Sequence, residues 1–174
     1  MRPHEEHKAK GPQRASFWVV TVSTSRFEAA KSGHSYTDES GDVAVRMIEA
    51  AGHRVAGRSL IKDDVVMIRS VLMDLLKRDD VDAVVFTGGT GIARSDVTVE
   101  AVRPLLDKEI DGFGDIFRLE SYREVGTAAI MSRALAGIIN GKLVVALPGS
   151  PNAVEVGLRI ILPEVPHILY LARL

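Results

Sequence analysis

A short apolar run that ends abruptly in a cluster of glycines and threonines constrains this chain more than any other feature. Val84-Val85-Phe86 is followed at once by Thr87-Gly88-Gly89-Thr90-Gly91. Consecutive β-formers without polar alternation suit a strand buried on both faces, as in a parallel sheet covered by helices. Ligands of open α/β sheets bind at the carboxyl ends of such strands. Glycines there let backbone N–H groups approach an anion, because no Cβ stands in the way. Thr87, Gly88, Gly89, Thr90 and Gly91 are therefore candidate phosphate ligands. A plain glycine-rich connection would use the same residues, and these five do not separate the two.

The rest of the chain repeats the pattern of strand followed by helix. Phe17 to Ser23 reads as a central strand. Thr24 to Asp38 reads as a long loop, with Asp38 capping a helix whose apolar face carries Val43, Met47, Ala50 and Ala51 and which Gly52 closes. Val55 to Ile61 reads as a second strand, and Asp63 or Asp64 caps the next helix. There Ile68, Val71, Leu72, Leu75 and Leu76 fall at i, i+3, i+4, i+7 and i+8. After the glycine loop, Val97 to Leu106 reads as a helix broken by Pro104. Ile116, Phe117 and Leu119 mark another helix, whereas Thr127 to Ile139 suits either a helix or a short strand and turn. Leu143 to Leu147 is a further buried strand, ending in Pro148-Gly149-Ser150-Pro151-Asn152 before a helix with Val154, Leu158, Ile161 and Leu162 on one face. This alternation predicts an α/β fold: a three-layer sandwich with a mostly parallel central sheet and helices on both faces. Residues 1–14 read as a flexible polar tail, and residues 15–174 as a single domain.

Composition removes several functional classes. The formal net charge of −1 gives no electrostatic footprint for a nucleic-acid partner. The absence of cysteine removes disulfides, thiolate metal sites and cysteine nucleophiles, and fits a cytoplasmic location. No apolar run reaches the roughly 18–20 residues of a membrane span, so no membrane partner is expected. No Gly-Lys-Ser/Thr follows the glycine loop, no Gly-x-Gly-x-x-Gly opens the first helix, and no nucleophile elbow is present. His34, His53 and His167 are scattered, which disfavours zinc.

Three strand ends meet at one edge of the predicted sheet: Ser23 to Arg26, Thr87 to Gly91, and Pro148 to Asn152. Asp38, Asp63, Asp64 and Asp96 also follow strand ends. Carboxylates beside a phosphate loop repel the phosphate unless a divalent cation lies between them. Magnesium is commonly held by one or two carboxylates together with substrate phosphates and water. Asp63 and Asp96 are therefore candidates for metal binding or acid–base chemistry. Helix capping is the competing role for each.

Several blocks together resemble the molybdopterin-binding family represented by MogA and MoaB. They are Thr87-Gly88-Gly89-Thr90-Gly91 with Ala93-Arg94-Ser95-Asp96-Val97-Thr98, Gly112-Phe113-Gly114 with Phe117-Arg118, Ser132-Arg133-Ala134, and Leu147-Pro148-Gly149-Ser150-Pro151. Asp38 to Gly41 and the helix ending at Gly52 are similar too, and the blocks keep the family's order from Phe17 to Leu162. The resemblance, MoaB-type above all, implies a role in molybdenum or tungsten cofactor biosynthesis. It implies magnesium-dependent adenylylation of molybdopterin by ATP, giving adenylyl-molybdopterin and pyrophosphate, in a homotrimer or homohexamer. A non-catalytic molybdopterin carrier of the same fold is the alternative. The family's two functional aspartates fall at Asp63 and Asp96, as catalytic residues and magnesium ligands. Ser25, Thr87 to Gly91, Pro148, Gly149 and Ser150 fall on the substrate phosphates, with Arg26 nearby. MogA-type sequences usually carry proline where this chain has Lys62.

Overall fold

The computed structural model describes residues 2–174; Met1, the first residue of the expected tail, lies outside them. The strands are β1 (Ser16–Val22), β2 (Arg54–Ile61), β3 (Ala83–Thr87), β4 (Lys108–Glu109), β5 (Leu135–Ile139) and β6 (Lys142–Leu147). They form one sheet in the order β2-β1-β3-β6-β5-β4. The pairs β1/β2, β1/β3 and β3/β6 are parallel, whereas β5 runs antiparallel to both β6 and β4. The helices are α1 (Pro3–Lys10), α2 (Thr24–Lys31), α3 (Glu39–Ala50), α4 (Val65–Leu76), α5 (Thr98–Val102), α6 (Asp111–Val125), α7 (Pro151–Ile161) and α8 (Val165–Ala172). Among the described residues no helix is long and apolar enough to cross a membrane.

Strand alternation divides the core in two. Phe17 and Val19 on β1, Val85 on β3 and Val145 on β6 face one side, packing with Ile48 of α3, Phe117 of α6, Leu158 of α7 and Leu169 of α8. Val20, Val84, Phe86 and Val144 face the other side, against Ile68 and Leu72 of α4 and Val102 of α5. Side chains of successive strand residues point to opposite faces, so a continuously apolar strand supplies both cores. The three-layer arrangement expected from the sequence is the one found.

Four segments differ from the sequence expectations in instructive ways. The supposed loop after β1 contains α2, begun by Ser23, whose hydroxyl accepts from the Arg26 N–H at 3.3 Å. This helix buries no residue, so it leaves no apolar periodicity to detect. Residues 3–10, expected to be mobile, form α1 on the surface of α8. Lys8 pairs with Glu164 at 2.9 Å, and the His7 ring stacks on Tyr170 with centroids 5.2 Å apart. That helix buries no residue, and its His7 ring also lies 5.6 Å from that of His167. The segment after the glycine loop begins its helix at Thr98, not Val97, and passes into a 3₁₀ turn over Arg103–Leu105 at Pro104. Thr127 to Ile139 divides into a 3₁₀ turn (Gly126–Met131) and β5.

His53, buried just before β2, accepts the Ala15 N–H on Nδ1 at 3.1 Å. Burial lowers its pKa below the ordinary value, outweighing a backbone bond to Leu162 and the charge of Asp82, which act the other way. The unfolded chain therefore takes up a proton near pH 6.5 that the folded chain resists until lower pH. Stability is lost as pH falls below that value and is unaffected by this group above it. The urea midpoint is expected to fall between pH 7.5 and 5.5, and to fall less in His53→Gln. An equal fall in both proteins would assign the acid sensitivity elsewhere.

Candidate functional site

The glycine loop sits at the carboxyl edge of β1, β3 and β6 and is held from below. Gly88 and Gly89 have φ of 101° and 70°, a left-handed conformation that side chains disfavour. The Gly88 N–H donates to the Leu147 carbonyl at 2.8 Å. The Thr98 hydroxyl donates to the Gly88 carbonyl at 2.8 Å, and the Thr98 N–H to the Gly89 carbonyl at 2.9 Å. A Cβ on Gly88 would lie 2.3 Å from the Val22 carbonyl oxygen; one on Gly89 would lie 2.3 Å from Thr98 Oγ1 and 2.9 Å from Asp63 Oδ1. Glycine is thus required twice, for torsion and for space.

Neither Asp63 nor Asp96 caps a helix. Asp64 caps α4, accepting the Met67 N–H at 2.8 Å. Asp63 is left to accept the Thr24 N–H at 3.2 Å and the Thr24 hydroxyl at 3.0 Å, both on Oδ2, while Oδ1 lies beside Gly89. Asp96 does not cap α5 either: Val97 occupies that position, without a side-chain bond. Asp96 Oδ2 instead accepts the Ala93 N–H at 3.1 Å and approaches Gly91, where a Cβ would lie 2.6 Å from it. The two carboxylates thus flank opposite ends of one glycine loop. Among the described residues neither is in an ion pair.

Gly89, Thr90, Gly91 and Asp96 line a cavity of about 300 Å³ whose far wall is Met131, Ser132, Pro148 and Gly149. A second cavity of about 160 Å³ shares Ser132 and Pro148 and reaches Phe117, Ser150 and Asn152. Of the expected substrate residues, Gly89, Thr90, Gly91, Pro148 and Gly149 therefore converge, whereas Gly88 lines neither cavity. Ser150 borders the second cavity and caps α7 by accepting the Ala153 N–H at 3.2 Å. Thr87 is fully buried at the end of β3 and lines neither cavity. Ser25 stands in the first turn of α2, its hydroxyl 3.3 Å from that of Ser23, one residue from the Thr24 that holds Asp63. The Arg26 guanidinium donates to the Thr37 carbonyl at 2.6 Å.

Asp38 is drawn away from this edge. Its carboxylate accepts the Thr21 hydroxyl at 2.7 Å, the Gly41 N–H at 3.1 Å and Arg58 at 2.9 Å. Burial raises its pKa, but those bonds outweigh burial and hold it below the ordinary carboxylate range. It faces a separate cavity of about 450 Å³ with Tyr36, Asp42 and Arg58. A further hollow of about 600 Å³, chiefly apolar, lies between β4 and α8, and neither flanking aspartate lines it.

Met131 and Ser132 were not expected as site residues, nor was Arg133, which bonds the loop from outside. They belong to the stretch whose secondary structure the sequence leaves open. The usable signal was the Ser132-Arg133-Ala134 block.

Known proteins match this chain over nearly its whole length. Residues 18–167 match the family described as "Probable molybdopterin binding domain". A Halalkalibacterium halodurans relative named "Molybdenum cofactor biosynthesis protein B" is 43% identical over 168 residues, covering 95% of this chain and 94% of its own. A Pyrococcus furiosus relative named "Molybdopterin adenylyltransferase" is 43% identical over 173 residues, covering 97% and 98%. The crystal structure titled as tungsten cofactor synthesizing protein MoaB from Pyrococcus furiosus superposes with a TM-score of 0.82 at 41% identity, covering 94% of this chain and 99% of that one. Matched over most of its length by that family and by relatives above 40% identity, the chain belongs to the MoaB/MogA family of molybdopterin-binding proteins.

Proposed function

We propose that this protein is a molybdopterin adenylyltransferase of molybdenum or tungsten cofactor biosynthesis. It joins ATP to molybdopterin and releases pyrophosphate. One observation carries the reading: Asp63 and Asp96 flank a single glycine loop, Asp96 lining the cavity beside it, and among the described residues no side-chain cation is paired to either. The name of the Pyrococcus furiosus relative supports the reaction class.

The donor set fits magnesium in one manner only. Among the described residues no group of three or more His, Cys, Asp or Glu side chains forms a cage for a metal. Two carboxylates with substrate phosphates and water make a magnesium site. Asp63 and Asp96 would hold the ion, which when bound offsets negative charge on the triphosphate.

The chain's own groups supply position. N–H groups and hydroxyls of the Thr90 neighbourhood hold a phosphate, and Pro148 to Ser150 bound the nucleotide side. The phosphate oxygen of molybdopterin attacks the α-phosphorus of ATP. The bond from that phosphorus to the bridging oxygen breaks, and pyrophosphate leaves with the electron pair. Such transfer depends on positioning and electrostatics rather than on a protein nucleophile.

Purified protein, ATP, magnesium and molybdopterin are expected to release one pyrophosphate per adenylyl-molybdopterin formed. Binding of molybdopterin without release would identify a carrier instead; tight AMP binding without molybdopterin affinity would identify a nucleotide-sensing module. We place the enzyme in the cytoplasm, consistent with its lack of cysteine. We expect a homotrimer or homohexamer. Exposed Ile116, Leu119, Tyr122 and Val125 on α6, with Ile130 beyond it, offer apolar surface for subunit contact. Sedimentation equilibrium gives the assembled mass directly, and a monomer would remove that expectation.

A further inference from the structure

We infer that Arg133 is a positioning residue for the Gly91–Asp96 segment. Its guanidinium fork fixes the rim of the site on which Asp96 acts. The inference rests on the adenylyl-transfer reading for its consequence in catalysis, and on geometry alone for its consequence in the loop.

Arg133 follows the 3₁₀ turn and precedes β5. Its Nε donates to the Gly91 carbonyl at 3.0 Å, and a terminal nitrogen donates to the same carbonyl at 2.7 Å. That nitrogen also reaches the Asp96 carbonyl at 3.4 Å. Both ends of the segment are thereby tied to one planar group. The guanidinium is itself fixed by Glu100 on α5: one terminal nitrogen bonds Oε1, and the other bonds Oε2 at 3.2 Å. The Glu100 carboxyl is held below its usual range chiefly by this bond, so both partners stay charged near neutrality.

The tie has a structural purpose. Inside the segment only two bonds close the turn: Ala93 N–H to Asp96 Oδ2 at 3.1 Å, and Asp96 N–H to the Ala93 carbonyl at 3.0 Å. Ile92 to Ser95 are exposed, so packing does not hold them. Thr98 secures only the base of the loop, bonding the Gly88 and Gly89 carbonyls. Without Arg133 the Asp96 carboxylate would rest on a surface turn held by its own bonds. Lysine cannot replace the fork, because an ammonium group is a point donor that cannot address two carbonyls and a carboxylate in one plane.

The stability contribution of so exposed a pair is small. The side chains of Arg133 and Glu100 are 30% and 49% exposed, and exposed pairs contribute about 0–1 kcal/mol. The effect is therefore expected in the loop and the rate, not in the fold. The experiment compares wild type, Arg133→Gln, Arg133→Lys and Glu100→Gln by three measurements: amide hydrogen exchange at Ala93, thermal melting, and kcat and KM for pyrophosphate release.

Arg133→Gln and Arg133→Lys are expected to raise Ala93 exchange at least about tenfold and to lower kcat about 10- to 100-fold, with smaller changes in KM and nearly constant melting temperatures. Glu100→Gln is expected to fall between them and wild type. Unchanged Ala93 exchange in Arg133→Gln overturns the inference. Full activity in Arg133→Lys overturns it too, because charge alone would then suffice. A melting temperature that drops in step with the rate makes Arg133 a general prop and likewise overturns it. An inactive wild-type protein overturns the proposed reaction instead, and the exchange rates still decide the role of Arg133.

Discussion

Asp96→Asn is expected to lower adenylyl transfer about a thousandfold, equivalent to roughly 4 kcal/mol of transition-state stabilisation, while molybdopterin binding stays close to wild type. The substitution isolates charge from shape. Asparagine retains an oxygen that accepts the Ala93 N–H, so the turn holding this side chain survives. What is lost is one of the two carboxylate charges flanking the glycine loop. Asp63 cannot compensate, since it is bound on the other side of the loop by the Thr24 N–H and hydroxyl. Pyrophosphate release measured with saturating ATP and molybdopterin gives kcat, and fluorescence titration with molybdopterin gives the affinity. An unchanged rate would remove Asp96 from the reaction. A loss of binding equal to the loss of rate would make it a ligand for ground state and transition state alike.

Gly88→Ala is expected to destabilise the protein by about 3 kcal/mol or more and to abolish activity, which chemical denaturation and the pyrophosphate assay measure together. Two penalties act at once. The backbone stands at φ 101°, where an L side chain is strained, and the new Cβ would lie 2.3 Å from the Val22 carbonyl oxygen. That oxygen belongs to the end of β1 within the parallel ladder, so it cannot swing aside as the tip of a flexible side chain can. Relief would come from displacing Gly88 itself, which breaks its N–H bond to Leu147 and its carbonyl bond from Thr98. Gly52→Ala is a useful control, because its φ of 87° carries strain but nothing crowds the added Cβ. A Gly88→Ala protein as stable as the Gly52→Ala control would show that the loop has room to adapt.

The sheet was legible because its strands are apolar along their whole length. Phe17 to Val22, Ala83 to Thr87 and Leu143 to Leu147 face one core or the other at almost every residue, so burial is written into the chain without a need for partners. The α4 periodicity was legible for the same reason. The helices that escaped notice, α1 and α2, bury no residue and carry no such record. The glycine loop was legible as a loop, yet Thr87, counted among its ligands, turned out to end the strand and to be sealed in the core.

By itself, then, the sequence determined the parallel α/β architecture, the glycine turn after β3, and the presence of aspartates near strand ends, because hydrophobic patterning and glycine torsion are local properties of the chain. Tertiary structure alone decided which aspartates were spoken for. Asp64 caps a helix and Asp38 is consumed by Thr21, Gly41 and Arg58, which leaves Asp63 and Asp96 beside the loop. It also brought Arg133, 42 residues from Gly91, onto the rim of the site. A carboxylate or a guanidinium has the same valence wherever it stands in the chain; its role is set by the donors and acceptors within about 3 Å, and those are supplied by distant segments that only folding brings together.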